Sequence, residues 1–75
     1  MNWRDHITFD AGVCHGKACI KGTRVMVSVV LDNLASGLSI EEIQASYPTL
    51  SREGIHAAIA YAADLARERI LSIGT

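Results

Sequence analysis

Charged residues, aromatic side chains and proline are all scarce in this chain of 75 residues, of which 20% are charged, 5% are aromatic and one is proline. A content of 49% apolar residues is too high for a disordered chain. The net charge of −1 argues against a strongly basic nucleic-acid-binding protein. No apolar run approaches the roughly 20 residues that cross a bilayer, and the first residues do not resemble a secretory signal. We therefore expect a folded cytoplasmic protein without a membrane segment.

Cysteine is also scarce, and its two copies limit the chemistry that can be assigned to it. The chain has two cysteines, Cys14 and Cys19, and a small secreted domain held by disulfides usually has more. Together with His6 and His15 they would make four zinc ligands, but structural zinc sites usually place a second ligand pair well downstream. We predict two reduced, buried thiols beside a loop, and neither a metal nor a cofactor.

The size of the chain makes its apolar content unusual. Seventy-five residues form one domain, and a chain of this length buries only about 60% of the surface that it exposes when unfolded. We expect part of the apolar surface to meet a second copy of the chain or a partner protein. Charge divides the domain in two, because residues 1–26 carry a balance of +2 and residues 27–75 a balance of −3.

The first part, residues 1–26, has the pattern of short strands joined by glycine loops. Residues 7–9 have the β-branched and aromatic content of a strand. Residues 19–20 and 24–27 flank a tight reversal in which Gly22 takes a positive φ. Strands as short as these must pack on helices or pair with strands of a second chain.

Three cations lie in or beside this reversal. Lys17 and Lys21 are expected to be exposed, where they would border a DNA surface or an acidic partner. The guanidinium of Arg24 suits several simultaneous bonds. An internal role, holding the hairpin through carbonyls or through a carboxylate such as Asp32 or Glu42, is therefore at least as plausible for it as a surface role.

The second part, residues 27–75, predicts three helices. Apolar residues at 27, 30, 31 and 34 form the apolar stripe of an amphipathic helix. Gly37 is predicted to end this helix by adopting a left-handed conformation. Ser39 and Glu42 form the capping box of a second helix, and that helix stops before Pro48. Structural roles are predicted for Gly22, Thr23, Arg24, Gly37, Ser39, Glu42 and Pro48.

The third helix is predicted over residues 52–70, with Ser51 as its N-cap. Between residues 55 and 66 only His56 and Asp64 are not apolar, whereas a monomer's surface helix has an apolar stripe only about 100° wide. We therefore predict that this helix forms a homodimer. The predicted interface residues are Ile55, Ala58, Ile59, Tyr61, Ala62 and Leu65.

A helix, a glycine turn, a short capped helix, a short turn and a long helix follow the order of a helix-turn-helix unit. The predicted fold is therefore mainly α, a three-helix unit of this type preceded by short β-strands or a hairpin. In such units the first turns of the long helix contact bases. Arg52 suits guanine or phosphate; the alternative is that Ser51 only caps the helix and Arg52 is a solvated charge. The DNA-binding candidates are Thr49, Ser51, Arg52, His56, Lys17 and Lys21.

Several short motifs follow one another along the chain in a specific order. They are Gly16-Lys17, Cys19–Arg24, Gly37-Leu38-Ser39, Glu41-Glu42-Ile43, Tyr47–Leu50, Ile55–Ala58 and Tyr61-Ala62. In this order they resemble the small bacterial and archaeal family catalogued as domain of unknown function 433, over about residues 7–63. The resemblance implies a homeodomain-like helix-turn-helix fold and the role of antitoxin to a toxin similar to PIN-type ribonucleases. The chain departs from the family pattern at Ala18, where proline is frequent, and at Gly54, where an acidic residue is frequent.

Residues that could support catalysis do not form a recognisable constellation. There is no glycine-rich phosphate loop, and the adjacent Glu41 and Glu42 point about 100° apart on a helix. We predict no enzymatic activity. The first hypothesis is a homodimeric antitoxin-like protein that binds a PIN-like ribonuclease and operator DNA. The alternatives are a helix-turn-helix interaction module that does not bind DNA, and a small metal or thiol protein.

Overall fold

The computed structural model describes residues 2–74, with side chains described for residues 2–67. The elements are a 3₁₀ turn (Trp3–Asp5), strand β1 (Ile7–Thr8), helix α1 (Ala11–Cys14), strand β2 (Cys19–Ile20), and helices α2 (Val27–Ala35), α3 (Ile40–Ser46) and α4 (Arg52–Gly74). The predicted fold class, mainly α with a short hairpin before three helices, is confirmed. Helix α1 was not predicted, and α4 is longer than expected. None of the described helices has the length and apolarity needed to cross a membrane.

The two strands pair antiparallel within one chain, with Ile7 opposite Ile20. We predicted that residues 24–27 would pair with β2, and they do so only in part. The Ile20 N–H donates to the Val25 carbonyl at 2.9 Å, and Cys19 faces Met26 in a single bridge. Strand β1 is the main partner because Ile7 and Ile20 are both buried in the core, which adds apolar contact to the pairing.

The reversal after β2 is built as predicted around a left-handed glycine. Gly22 has a φ of +83°. The Thr23 hydroxyl donates to the Ile20 carbonyl at 2.8 Å and accepts from the Val25 N–H at 3.0 Å. Thr23 therefore holds the turn with its side chain, which is the structural role that we predicted for it.

Arg24 does not have the internal role that was considered for it. Its side chain is exposed, and it forms no ion pair with any described residue. Of the two carboxylates considered as partners, Asp32 is exposed and Glu42 binds the backbone of Ser39. The hairpin does not need the guanidinium, because Thr23 already joins its two sides. Arg24 is therefore a surface cation.

The end of α2 follows the sequence prediction closely. Gly37 has a φ of +92°. Its N–H donates to the Leu34 carbonyl at 3.0 Å, and the Leu38 N–H donates to the Asn33 carbonyl at 3.1 Å. This pair of bonds is the Schellman motif, in which a left-handed residue lets the last helical carbonyls find donors.

Helix α3 begins with the predicted capping box and ends before the only proline. The Ser39 hydroxyl accepts from the Glu42 N–H at 3.1 Å, and the Ser39 N–H donates to the Glu42 carboxylate at 2.9 Å. Hydrogen bonding to the Ser39 backbone, and then to the Ser39 side chain, lowers the pKa of the Glu42 carboxyl. Tyr47 has a φ of −128° and a ψ of 81°, because the ring of Pro48 disfavours helical geometry at the residue before it.

Helix α4 starts where predicted and packs unusually close to β2. The Ser51 hydroxyl accepts a 2.9 Å hydrogen bond from the Gly54 N–H. A Cβ atom on Gly54 would lie 2.9 Å from Cγ2 of Ile20, which is closer than real carbon contacts allow. Gly54 therefore lets the first turn of α4 lie directly against the strand.

The core lies between the short sheet and the three longer helices. Helix α4 contributes its first two turns to this core, where alanines allow close packing. The Trp3–Asp5 turn packs on the same helix through Trp3 and Tyr61. The buried core residues are Ile7, Ile20, Val27, Val30, Ile43, Leu50, Ile55, Ala57 and Ala58.

Cys14 and Cys19 are joined by a disulfide, with their Cα atoms 6.3 Å apart. The prediction of reduced thiols is therefore wrong, although both side chains are buried as expected. The cause is a double left-handed turn at the end of α1, where His15 has a φ of 55° and Gly16 a φ of 79°. This turn brings the chain back and places Cys19 beside Cys14, a juxtaposition that spacing alone did not indicate.

Candidate functional site

The first turns of α4 present an exposed and largely polar surface. Arg52 and His56 are exposed and line an open depression of about 580 Å³ together with Glu53, Ile59 and Ala60. On a helix these residues lie on neighbouring positions of one side, since Arg52, His56 and Ile59 are spaced i, i+4 and i+7. The structure thus places two of the predicted DNA-binding residues on one accessible face.

Thr49 and Ser51, the two DNA-binding candidates that precede α4, have different surroundings. The Ser51 hydroxyl is engaged in capping the helix through the Gly54 N–H. Thr49 is exposed and lies in a second open depression, of about 730 Å³, beside Lys21 and Arg24. Arg52 and His56 therefore line one depression and Thr49 lines the other, whereas Ser51 lines neither.

The second depression has a mixed lining. Its cations are Lys21 and Arg24, both exposed, and Asp10 is a carboxylate in the same lining. The Asp10 side chain accepts a 2.8 Å hydrogen bond from the Gly12 N–H as the N-cap of α1. Lys17 is exposed on the loop after α1 and is not part of this lining. Of the two lysines that we predicted at a DNA surface, only Lys21 lines this depression.

The charge at the start of α4 is not positive. An Nη atom of Arg52 lies 3.4 Å from a carboxylate oxygen of Glu41, and both side chains are largely exposed, at 55% and 68%. An exposed pair of this kind contributes about 0–1 kcal/mol to stability. Glu53 adds a second carboxylate to the same surface. Sequence reasoning missed the Arg52–Glu41 contact, because the two residues lie on different helices.

The six predicted dimer residues do not form one surface. Ile55 and Ala58 are completely buried in the chain's own core, so the prediction that they are interface residues is wrong. Ile59 is 40% exposed and Leu65 is 44% exposed, but they lie about 120° apart around the helix. Ile59 shares the face of Arg52 and His56.

Leu65 is placed differently from Ile59. It follows Ala58 by seven residues and Tyr61 by four, so it continues the core-facing stripe of α4 beyond the core. Ala62 is half-buried beside this stripe, and Tyr61 is half-buried beneath Trp3 and Phe9. Phe9, which we predicted in a strand, is 50% exposed next to Tyr61 and adds to the apolar surface.

The four residues considered for zinc do not converge. Cys14 and Cys19 are bonded to each other, and His15 is exposed. Among the residues that the structure describes, no three His, Cys, Asp or Glu side chains are close enough to hold one metal ion.

The fold defines a small, mainly α protein with a short N-terminal hairpin, and the start of its helix α4 is exposed. The chain belongs to the family described as protein of unknown function (DUF433), whose model matches residues 7–62. Its structure is similar to the crystal structure of a DUF433 member protein from Anabaena variabilis, with a TM-score of 0.75 and 29% sequence identity, over 96% of this chain and 71% of that one. No curated protein gives a significant match. The family resemblance seen in the sequence is thereby confirmed.

Proposed function

We propose that this protein is antitoxin-like: a homodimer that binds and neutralises a PIN-like ribonuclease and binds the double-stranded operator DNA of its own gene. The class of partner is the one that the family resemblance implies. The protein acts by binding, and no catalytic step is assigned to it. The observation that carries the proposal is the exposure of Arg52 and His56 on the first two turns of α4, where helix-turn-helix proteins contact bases.

DNA binding on this proposal is modest and depends strongly on salt. DNA carries one negative charge per roughly 1.7 Å of helix axis, so a binding protein needs several free cations. Arg52 is partly neutralised by Glu41, and Glu53 lies on the same surface. The first turns of α4 therefore contribute more to the position of the protein on DNA than to its affinity.

Neutralisation of the ribonuclease relies on exposed apolar and acidic groups. Phe9 and Ile59 are large apolar side chains with 50% and 40% of their surface exposed. The exposed Glu41 and Glu53 add negative charge around the start of α4. Nuclease surfaces that bind RNA are basic, so this combination favours complementary contact with such a partner.

A second candidate function is supported by the Arg52–Glu41 contact. Because Arg52 is paired to the carboxylate of Glu41, the helix-turn-helix unit would serve as a protein-binding module without affinity for DNA. In both candidates the protein binds the ribonuclease. They differ only in whether it also binds operator DNA.

DNA binding is tested by titrating the purified chain onto labelled duplexes from the region upstream of its gene, at about 50 mM and about 150 mM salt. We expect retardation that weakens at the higher salt, and a further loss in Arg52→Ala. Glu41→Gln frees Arg52 and should strengthen binding. Asp32→Asn is the matched control, since it removes the same charge from an exposed position on α2 and should strengthen binding less.

No retardation of any upstream fragment at low salt would overturn the DNA part and leave the interaction module. The ribonuclease part is tested by co-expression with the product of the neighbouring gene. A complex that purifies together and suppresses RNA cleavage supports the proposal. A neighbouring nuclease that stays separate and fully active contradicts it.

A further inference from the structure

The surface at the start of α4 lacks the positive charge that DNA affinity requires, so other cations must supply it. Glu41 and Glu53 lie beside Arg52. The structure places two further cations, Lys21 and Arg24, in the turn after β2, residues 21–24, which we call the basic turn.

The basic turn lies beside the start of α4. It begins directly after Ile20, and Ile20 packs so closely on Gly54 that no side chain fits between them. Thr49, two residues before the cap of α4, lines the same depression as Lys21 and Arg24. The basic turn therefore lies close to the N-terminal end of α4, on the side of Thr49.

Both cations of the basic turn are available for a ligand. Lys21 and Arg24 are exposed, and neither forms an ion pair with a residue that the structure describes. Asp10, the carboxylate in the same lining, is hydrogen-bonded to the Gly12 N–H. The depression thus combines two free cations with one engaged carboxylate and with the exposed hydroxyl of Thr49.

The backbone of the basic turn is held in place before any ligand arrives. Thr23 bonds to Ile20 on one side and to Val25 on the other, and Gly22 adopts the left-handed conformation that the reversal needs. A turn held in this way presents its cations with a smaller loss of backbone entropy on binding than a flexible loop would.

We propose that the basic turn binds backbone phosphates of double-stranded DNA beside the segment that α4 contacts. Lys21 and Arg24 each neutralise one phosphate, and the Thr49 hydroxyl donates to a phosphate oxygen between them and α4. The inference rests on the DNA-binding part of the proposed function and names the groups that supply its affinity. Because phosphates carry no base identity, these bonds raise affinity without selecting a sequence.

The test is the salt dependence of DNA affinity in Lys21→Ala, Arg24→Ala and the double variant. The slope of log affinity against log salt changes by about 0.9 for every phosphate that the protein no longer neutralises. We expect each single variant to reduce the slope by about one per protomer, and the double variant by about two, equally on operator and on unrelated duplexes. Arg4→Ala is the matched control, because it removes one exposed charge outside both depressions and should leave the slope nearly unchanged.

The outcomes separate this inference from the function on which it rests. If the wild-type chain retards no duplex at low salt, both are overturned. If it binds DNA and the double variant keeps the wild-type slope, the inference alone is wrong. If the double variant keeps the slope but no longer binds the co-expressed nuclease, the basic turn contacts an acidic segment of a protein instead. Unchanged thermal unfolding of the variants would confirm that they are folded.

Discussion

The indole N–H of Trp3 donates a 2.6 Å hydrogen bond to the carboxylate of Asp64, halfway along α4. The Trp3 ring also packs edge-to-face on Tyr61, with ring centres 4.8 Å apart. Arg4 lies 4.4 Å above the Trp3 ring, and Arg67 pairs with Asp64 from the next turn of α4. Trp3 thus packs the N-terminal turn of the chain against α4.

This contact predicts that Trp3→Phe lowers the melting temperature by a few degrees, because it keeps an aromatic ring and removes the N–H donor. Asp64→Asn should have a similar effect. A double-mutant cycle measures the interaction itself. In the Trp3→Phe background, Asp64→Asn should cost clearly less than in the wild type. Strictly additive effects would show that the hydrogen bond contributes nothing to stability.

The same contact predicts a response to acid. Hydrogen bonds from Trp3 and then from Arg67 lower the pKa of Asp64 below its ordinary value of 3.8. A carboxyl whose pKa is lower in the folded state adds stability above the unfolded pKa and loses it as pH falls through the folded pKa. The contribution is therefore complete at about pH 5–7 and is lost progressively as the pH falls below about 4.

Thermal unfolding between neutral pH and about pH 2.5 tests this response. The gap in melting temperature between wild type and Trp3→Phe should narrow as the pH falls below about 4. Glu42, whose pKa is also lowered, titrates in both proteins alike and so cancels in the comparison. A gap that stays constant down to the lowest pH would contradict the assignment to Asp64.

Gly54→Ala tests the close approach of α4 to β2. In an ordinary helix this substitution would stabilise the protein by up to about 1 kcal/mol. Here the added methyl group would meet Cγ2 of Ile20, so we expect a loss of about 1–3 kcal/mol. Ile20→Ala itself costs about 2–5 kcal/mol, but in that background Gly54→Ala should cost clearly less than in the wild type. Glu53→Ala, an exposed change in the same turn, is the control and should be nearly neutral.

Leu65→Glu tests the homodimer. Leu65 continues the core-facing stripe of α4 past the core, so a second copy that covers it would bury the surface left open. We expect light scattering to give about twice the chain mass of 8.1 kDa for the wild type and the single mass for Leu65→Glu. Ile59→Glu, on the face of Arg52 and His56, should stay dimeric and bind DNA more weakly. A monomeric wild type, or a dimer that survives Leu65→Glu, would rule out this interface.

Features that depend on a few neighbouring residues were predictable from the sequence. The Ser39–Glu42 capping box, the left-handed Gly37 and the N-cap Ser51 were all predicted, and each is confirmed. Their donors and acceptors lie within five residues of one another, so local spacing decides whether they form.

Features that join distant parts of the chain were not predictable. The Arg52–Glu41 pair is an example, because it depends on how α3 and α4 pack. Arg24 was considered for an internal role and is a surface cation, because Thr23 had already satisfied the turn. Nothing in the pattern of residues ranks such competing partners, since their distances are set only once the core has formed.

The sequence by itself determined where α2 ends, where α3 and α4 begin, which turns need glycine, and that the chain is rich in apolar residues for its size. Those properties follow from backbone conformation and from composition, which are local or additive. Only the tertiary structure decided that Ile55 and Ala58 are core while Leu65 remains exposed. Burial is a property of the whole packed chain: the apolar stripe of α4 is longer than the core that covers it, and only packing shows where that core ends.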